Sequence, residues 1–297
     1  MEKARIGTCS WNFPSWEGLV YENGRKPGTA LLAEYARRYD CVEIDRWFWS
    51  LGAGGKVRLP ERKDAIAYRE AVPDDFRFGV KAPNSLTLTH AYRKSKADPL
   101  IANPHFLCPS LAKEFIDQIE PLHDVLGPIL FQFEYLSKQK MPSRLRFLDS
   151  FGEFARQLPS EFDFGLEVRN PSYVDASFFE FLQDLGVAPV LISGYWMASL
   201  TDLWAEHSER IRLSNPVIRL MGPDRKRIEE VTASVWNRVV DPHDEELNAL
   251  ARILASLSSV GRQPFLFVNN HYEGSAPLTI TRILDRLVDE IEGASTA

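Results

Sequence analysis

Residues 162–193 read FDFGLEVRNPSYVDASFFEFLQDLGVAPVLIS, and the order of signals within them decides the fold. A β-rich run at Phe162–Arg169 passes through polar turn residues into a stretch of helical spacing, Ala176–Leu185. The turn at Leu185-Gly186 then leads at once into a second β-rich run, Ala188–Ser193. A helix stopped by glycine and followed directly by a strand is the short connection of an alternating α/β protein. The pattern recurs on both sides. Further β-rich runs lie at Arg5–Trp11, Cys41–Phe48, Arg77–Ala82, Pro128–Phe133, Val217–Gly222 and Pro264–Asn270. Helical stretches lie at Leu31–Arg38, Pro60–Ala71, Leu111–Leu122, Ser143–Leu158 and Asp244–Ser258. Eight strands alternating with helices predict a parallel sheet closed into a (β/α)8 TIM barrel, an α/β fold. No linker or low-complexity segment divides the chain, so residues 1–297 are read as a single domain. An open doubly wound sheet is the alternative, but the long polar segments Asn12–Gly28 and Pro83–Pro109, after strands one and three, suit a barrel with elaborated loops better.

The 297 residues are 44% hydrophobic, enough for a substantial core, and 26% charged, with a formal net charge of -6. That acidic balance disfavours nucleic acid and anionic membrane surfaces as partners, so an anionic ligand would need a local basic patch. Cys9, Cys41 and Cys108 are too few and too scattered for a disulfide framework or a zinc site, which fits a reducing cytoplasm. The opening residues lack the apolar run of a signal peptide, and no stretch approaches the roughly 20 apolar residues that would span a bilayer.

In a TIM barrel the ligand site lies at the C-terminal strand ends, and here those ends carry charge. Period-two alternation puts Glu43 and Asp45 on one face of strand two, opposite Val42 and Ile44. Lys81 closes strand three, Glu167 and Arg169 share a face of strand five, and Arg219 lies between apolar neighbours on strand seven. Charge inside such runs is costly to bury unless it is paired or solvated. A shared polar mouth that meets a ligand answers that cost, and so does a buried ion-pair network that fixes the barrel register. For the set as a whole the ligand reading is preferred. Strand eight exits into Asn269-Asn270-His271-Tyr272-Glu273-Gly274, a crowd of donors and acceptors with one imidazole able to titrate near neutrality. An Asn-rich turn is the plainer alternative.

Among the aromatics after strands one and two, Trp11 closes a strand and is the candidate for stacking on a ligand, while Phe48 and Trp49 are read as plugs of the barrel end. Basic residues stand in two loops, Arg93, Lys94 and Lys96 and then Arg225, Lys226 and Arg227. Together they could hold a phosphate; for the second cluster, ordinary solvated charge is the better reading. His90, just before the first cluster, is a candidate acid, base or ligand. Glu43, Asp45, Glu167, His90 and His271 could assemble a divalent metal site, but no two histidines share a spacing that would fix one, so neither metal nor other cofactor is evident. The P-loop, H-E-x-x-H, G-x-S-x-G and dinucleotide motifs are absent.

The opening Ile6-Gly7-Thr8-Cys9-Ser10-Trp11, with Phe13-Pro14 and Trp16, resembles the I-G-T-S-G-W start of the YecE-like family, number 72 among the domains of unknown function. The resemblance continues through Tyr35-Ala36, Val42-Glu43-Ile44, Phe78 to Pro83, and Gly127-Pro128-Ile129-Leu130-Phe131-Gln132. It recurs at Glu167-Val168-Arg169, at Arg219-Leu220 with Gly222, and at Asn269-Asn270 with Gly274 and Ala276-Pro277. It implies a TIM barrel and no established activity. Some members have been compared in fold with metal-dependent endonucleases acting on abasic DNA, which is analogy alone. The chain departs from the family where Asp45-Arg46-Trp47 follow Glu43-Ile44 in place of Asn and a small hydroxyl residue. Asn170 and Met221 also stand where histidine is common, so any metal or proton role of those imidazoles is altered here.

These readings converge on an enzyme, with hydrolysis the reaction class considered, or a protein derived from one, holding a small polar or anionic ligand that is phosphorylated or sugar-containing. Glu43, Lys81, Glu167 and His271 are the catalytic candidates. Trp11, Asp45, His90, Gln132, Arg169, Arg219, Asn269 and Asn270 are the binding candidates, with Lys81, Arg169 and Arg219 holding negative charge. The rivals are a metal-dependent phosphodiesterase acting on nucleic acid and a non-catalytic binding module.

Overall fold

The computed structural model describes residues 4–22, 28–93, 95 and 97–296. Eight parallel strands close into a barrel in chain order: β1 (Arg5–Cys9), β2 (Cys41–Ile44), β3 (Arg77–Lys81), β4 (Leu126–Gln132), β5 (Phe164–Glu167), β6 (Ala188–Gly194), β7 (Val217–Gly222) and β8 (Phe265–Val268). The ring closes where β1 pairs with β8, from Arg5 beside Phe265 to Thr8 beside Val268. Ten α-helices lie among the described residues: α1 (Thr29–Tyr35), α2 (Arg62–Glu70), α3 (Asn84–Thr87), α4 (Pro109–Ile119), α5 (Arg144–Ala155), α6 (Ala176–Leu185), α7 (Leu200–Ile211), α8 (Arg225–Thr232), α9 (Asp244–Ser259) and α10 (Ala276–Thr296). The expected (β/α)8 barrel is therefore the fold. No described helix is long and apolar enough to cross a membrane.

The unit around α6 shows why the sequence folds this way. Asp175 caps the helix by accepting the Phe178 N–H at 2.9 Å, and Phe178, Phe179 and Leu182 are buried against the sheet. Gly186 then takes the left-handed conformation, φ 66° and ψ 25°, and turns the chain into β6. Every β-rich run contains a strand, but several strands are shorter than expected at their C-terminal ends. β1 stops at Cys9 because Ser10 adopts a φ of 66°, and β2 stops at Ile44 because residues 45–48 turn, with the Phe48 N–H on the Asp45 carbonyl at 3.1 Å. The residues released from the ladder are those that build the mouth.

Inward and outward side chains of the sheet form two separate cores. Outward residues join the helices, while Cys41, Leu130, Val190, Ile192, Val217 and Phe267 fill the barrel itself with an apolar plug. Gly79 makes that plug fit, since a Cβ there would lie 2.5 Å from the Phe267 ring. The described residues between 83 and 109 form a wall beside the mouth. They contain α3, an antiparallel bridge between His90 and Ala102, and Asn103, whose Nδ2 donates to the Ser85 and Leu88 carbonyls at 2.7 and 2.6 Å.

Candidate functional site

Directly above the apolar plug, charge replaces hydrocarbon. β7 carries Arg219 inward between the outward Ile218 and Leu220, β2 carries Glu43 and β5 carries Glu167; the two carboxylates are fully buried and Arg219 is 1% exposed. Arg219 grips Glu43 with both sides of its guanidinium, Nε to Oε2 at 2.7 Å and Nη2 to Oε1 at 2.8 Å. Its Nη1 donates to Glu167 Oε2 and, at 3.0 Å, to Gln132 Oε1. Arg169 closes the set by donating from Nε to Glu167 Oε1 at 3.1 Å. Burial works against ionisation of Glu167, but Arg219, Arg169 and Lys81 outweigh it and hold the carboxyl below its ordinary range. Glu43, Glu167, Arg169 and Arg219 thus form a buried ion-pair network such as the sequence offered as the alternative, without Lys81. Arg219 is engaged by these partners and also lines the cavity above them.

Above that floor opens a cavity of about 450 Å³ at the C-terminal end of the barrel. Asp45, Lys81, Arg169, Asn269, Asn270 and His271 line it, together with Phe48, Trp49, Tyr92 and Tyr195. The β2–β3 register, Glu43 beside Gly79 and Ile44 beside Val80, brings Asp45 level with Lys81. Both side chains are partly buried. Burial and the neighbouring Glu43 push Asp45 above the usual carboxylate range, while burial and the Arg219 charge hold Lys81 below the usual amine range. The Lys81 nitrogen lies 4.0 Å from the centre of the Phe48 ring. Arg169 sits over Tyr195 at 4.1 Å from its centre and lines the cavity.

The strand-eight exit is more structural than its composition suggested. His271 donates from Nδ1 to Asn269 Oδ1 at 2.5 Å and faces Glu229 of α8 through Nε2 at 3.0 Å, with Trp236 packed edge-on at 4.9 Å. Burial lowers its pKa against the opposing pull of Glu229. Both ring nitrogens therefore have a partner, and the residue also borders the cavity. Asn270 is buried and accepts the Ala276 N–H at 2.9 Å, capping α10, while its Nδ2 has no partner among the described residues.

Two candidates stand apart from the mouth. Trp11 is buried edge-on against Tyr68 at 5.2 Å and lines an adjoining cavity of about 660 Å³, which Asp45 also borders. His90 lies in the 83–109 wall with Nδ1 2.9 Å from the Thr89 hydroxyl. Among the described residues no three His, Cys, Asp or Glu side chains converge as a metal would require. Of the basic clusters, Lys94 and Lys96 lie outside the described residues. The expected second loop is the first turn of α8, where Arg225, Lys226 and Arg227 pair with Glu229, Glu230 and Asp241; only Arg225 of the three reaches the cavity.

Sequence reasoning also misplaced some aromatics and missed others. Phe48 and Trp49 line the mouth, and Trp49 stands 70% exposed at its rim, 6.0 Å from Tyr92. Tyr195 and Glu134 were not singled out. Glu134 follows Gln132 at strand parity and was legible; Tyr195, with a φ of 54° after Gly194, depends on a turn that no propensity signals. Asn170, where the family pattern favours histidine, clasps the loop after β4 by accepting from the Leu136 N–H at 2.8 Å and donating to its carbonyl at 3.0 Å.

The family model described as protein of unknown function DUF72 matches residues 5–297. The UPF0759 protein YecE of Escherichia coli K12 is 26% identical over 253 residues, covering 78% of each chain. A DUF72 family protein of Thermotoga maritima superposes with a TM-score of 0.65 at 22% identity, over 98% of this chain and 100% of that one. A second, from Enterococcus faecalis, gives 0.66 at 16% identity over 96% and 95%. Both likenesses are of fold.

Proposed function

The chain belongs to the DUF72 family, and we propose that its barrel mouth is the site of an acid–base enzyme acting on a small, negatively charged polar ligand. The observation that carries this reading is the convergence of Asp45, Lys81 and Arg169 on one cavity of about 450 Å³ above a floor of mutually satisfied charges. A cavity of that size suits a sugar- or keto-acid-sized molecule. Arg169 has a guanidinium edge left for a carboxylate or phosphate. Asp45, raised above the usual carboxylate range, is the proton carrier, and Lys81, held below the usual amine range, is the basic group that faces the reacting end of the ligand. Glu43, Glu167, Gln132 and Arg219 position these groups from below, and His271 with Asn269 holds the α8 side of the rim. The phosphodiesterase reading has less support, because Glu43 and Glu167 face Arg219 and His90 lies outside the cavity.

Thermal-shift and calorimetric titration against small sugar phosphates and hydroxy or keto acids tests the proposal. At least one such anion should bind, and Arg169→Leu should weaken it about tenfold to a hundredfold, the value of a charged hydrogen bond. Binding that is indifferent to Arg169→Leu, or a wild-type protein that takes up none of these anions, would sink it.

A further inference from the structure

We propose that Lys81 is an imine-forming nucleophile, so that the ligand class of the mouth is an anionic aldehyde or ketone. This rests on the reading of the mouth as an anion site and specifies which anion. Three geometric facts carry it. Lys81 makes no ion pair among the described residues, because the carboxylates nearest the floor are taken by Arg219. Its nitrogen rests instead against the Phe48 ring at 4.0 Å. It also projects into a cavity shared with Asp45 and Arg169. A lysine without an ion pair, partly desolvated and placed near a second cation is the environment in which an amine is available unprotonated. Burial and Arg219 act in that direction on Lys81 and outweigh the opposing pull of Glu43, Glu167 and Asp45.

The chemistry closes within the site. The Lys81 nitrogen lone pair attacks the carbonyl carbon, a C–N bond forms, and the carbonyl π pair moves to oxygen, which takes a proton from the Asp45 carboxyl. The resulting carbinolamine gives its nitrogen proton to the Asp45 carboxylate. Asp45 returns that proton to the hydroxyl, which leaves as water as C=N forms. No oxidant or reductant is consumed. Arg169 holds the carboxylate or phosphate of the same molecule. An iminium placed there draws electrons from the adjacent carbon, which is what enzymes use to move a proton or break a carbon–carbon bond beside a carbonyl.

The test is reductive trapping on the intact wild-type protein. It is incubated at neutral pH with pyruvate or dihydroxyacetone phosphate, reduced with borohydride, and read by intact mass and peptide mapping, with calorimetry of the same probes run unreduced. The expected result is one adduct per chain, equal to the probe mass less one oxygen atom, located on Lys81 and suppressed by excess inorganic phosphate. Lys81→Arg should lose it while keeping the thermal transition. Calorimetric binding with Lys81 unmodified, or adducts scattered over exposed lysines such as Lys138, overturns the imine while leaving the anion site standing. Neither binding nor adduct overturns both.

Discussion

Arg219 is the residue on which the mouth depends, and its role follows from what it neutralises. Removing it leaves Glu43 buried without its partner and Glu167 held by Arg169 alone. Breaking a buried pair from one side costs about 3–5 kcal/mol, whereas replacing all its members by hydrocarbon of similar volume is often neutral. Arg219→Met should therefore lower the urea midpoint sharply, and adding Glu43→Leu and Glu167→Leu should restore most of it; a single variant as stable as wild type would contradict the pairing. The presence of these charges on inward faces was legible from period-two alternation. Their allegiance was not, because Arg219 meets partners 176 and 52 residues away in sequence, and only the closed ring decides which carboxylate it reaches. The same limit applies to His271. Read as an imidazole able to titrate beside two amides, it is engaged by Glu229 from a helix that charged composition had disguised as a loop.

At the level of strands and helices, the barrel was readable because each strand is a short β-rich run bounded by turns, a local signal. Helices α3, α7, α8 and α10 lay outside the expected stretches, α7 and α8 for visible physical reasons. α8 buries only Ile228 and Thr232, too few contacts to mark a face, and α7 is started by a Ser199 hydroxyl accepting the Asp202 N–H at 3.0 Å, a single-residue signal. Packing inside the barrel was likewise hidden, since Gly79 looks like a weak strand residue until Phe267 is seen filling the space above it. That contact makes a prediction at this scale. Gly79→Ala should cost about 1–3 kcal/mol by overpacking, and Phe267→Leu should cost a similar amount by underfilling. The double variant should be less destabilised than the sum, by roughly 0.5–3 kcal/mol of favourable coupling. Additive urea midpoints would show that the ring and the glycine do not share that space.

For the whole molecule, the site imposes a pH dependence that can be signed group by group. Glu167 ionises more readily folded than unfolded, because Arg219, Arg169 and Lys81 outweigh its burial. Its contribution to stability is complete above the unfolded carboxylate pKa and is lost as pH falls through the folded value, so the native state should weaken below about pH 4. Asp45 has the opposite sign. Burial and Glu43 raise its folded pKa, so its contribution is complete below the unfolded value and is lost as pH rises through the folded one. At neutral pH its charge is a liability to the fold, retained, on the present proposal, for proton transfer. Asp45→Asn removes that liability and should stabilise the protein at pH 7 by on the order of 0.5–2 kcal/mol, the usual gain when a functional residue is neutralised. At pH 3 the carboxyl is largely protonated in both states, so variant and wild type should unfold at nearly the same urea concentration. Parallel urea titrations from pH 3 to pH 8 measure the difference directly. A gap that opens between pH 4 and neutrality, with catalysis or imine formation lost in the same variant, ties the instability of the mouth to its work. A variant less stable than wild type at pH 7 would mean that Asp45 holds the barrel end together, and the proton carrier would have to be sought elsewhere along the rim.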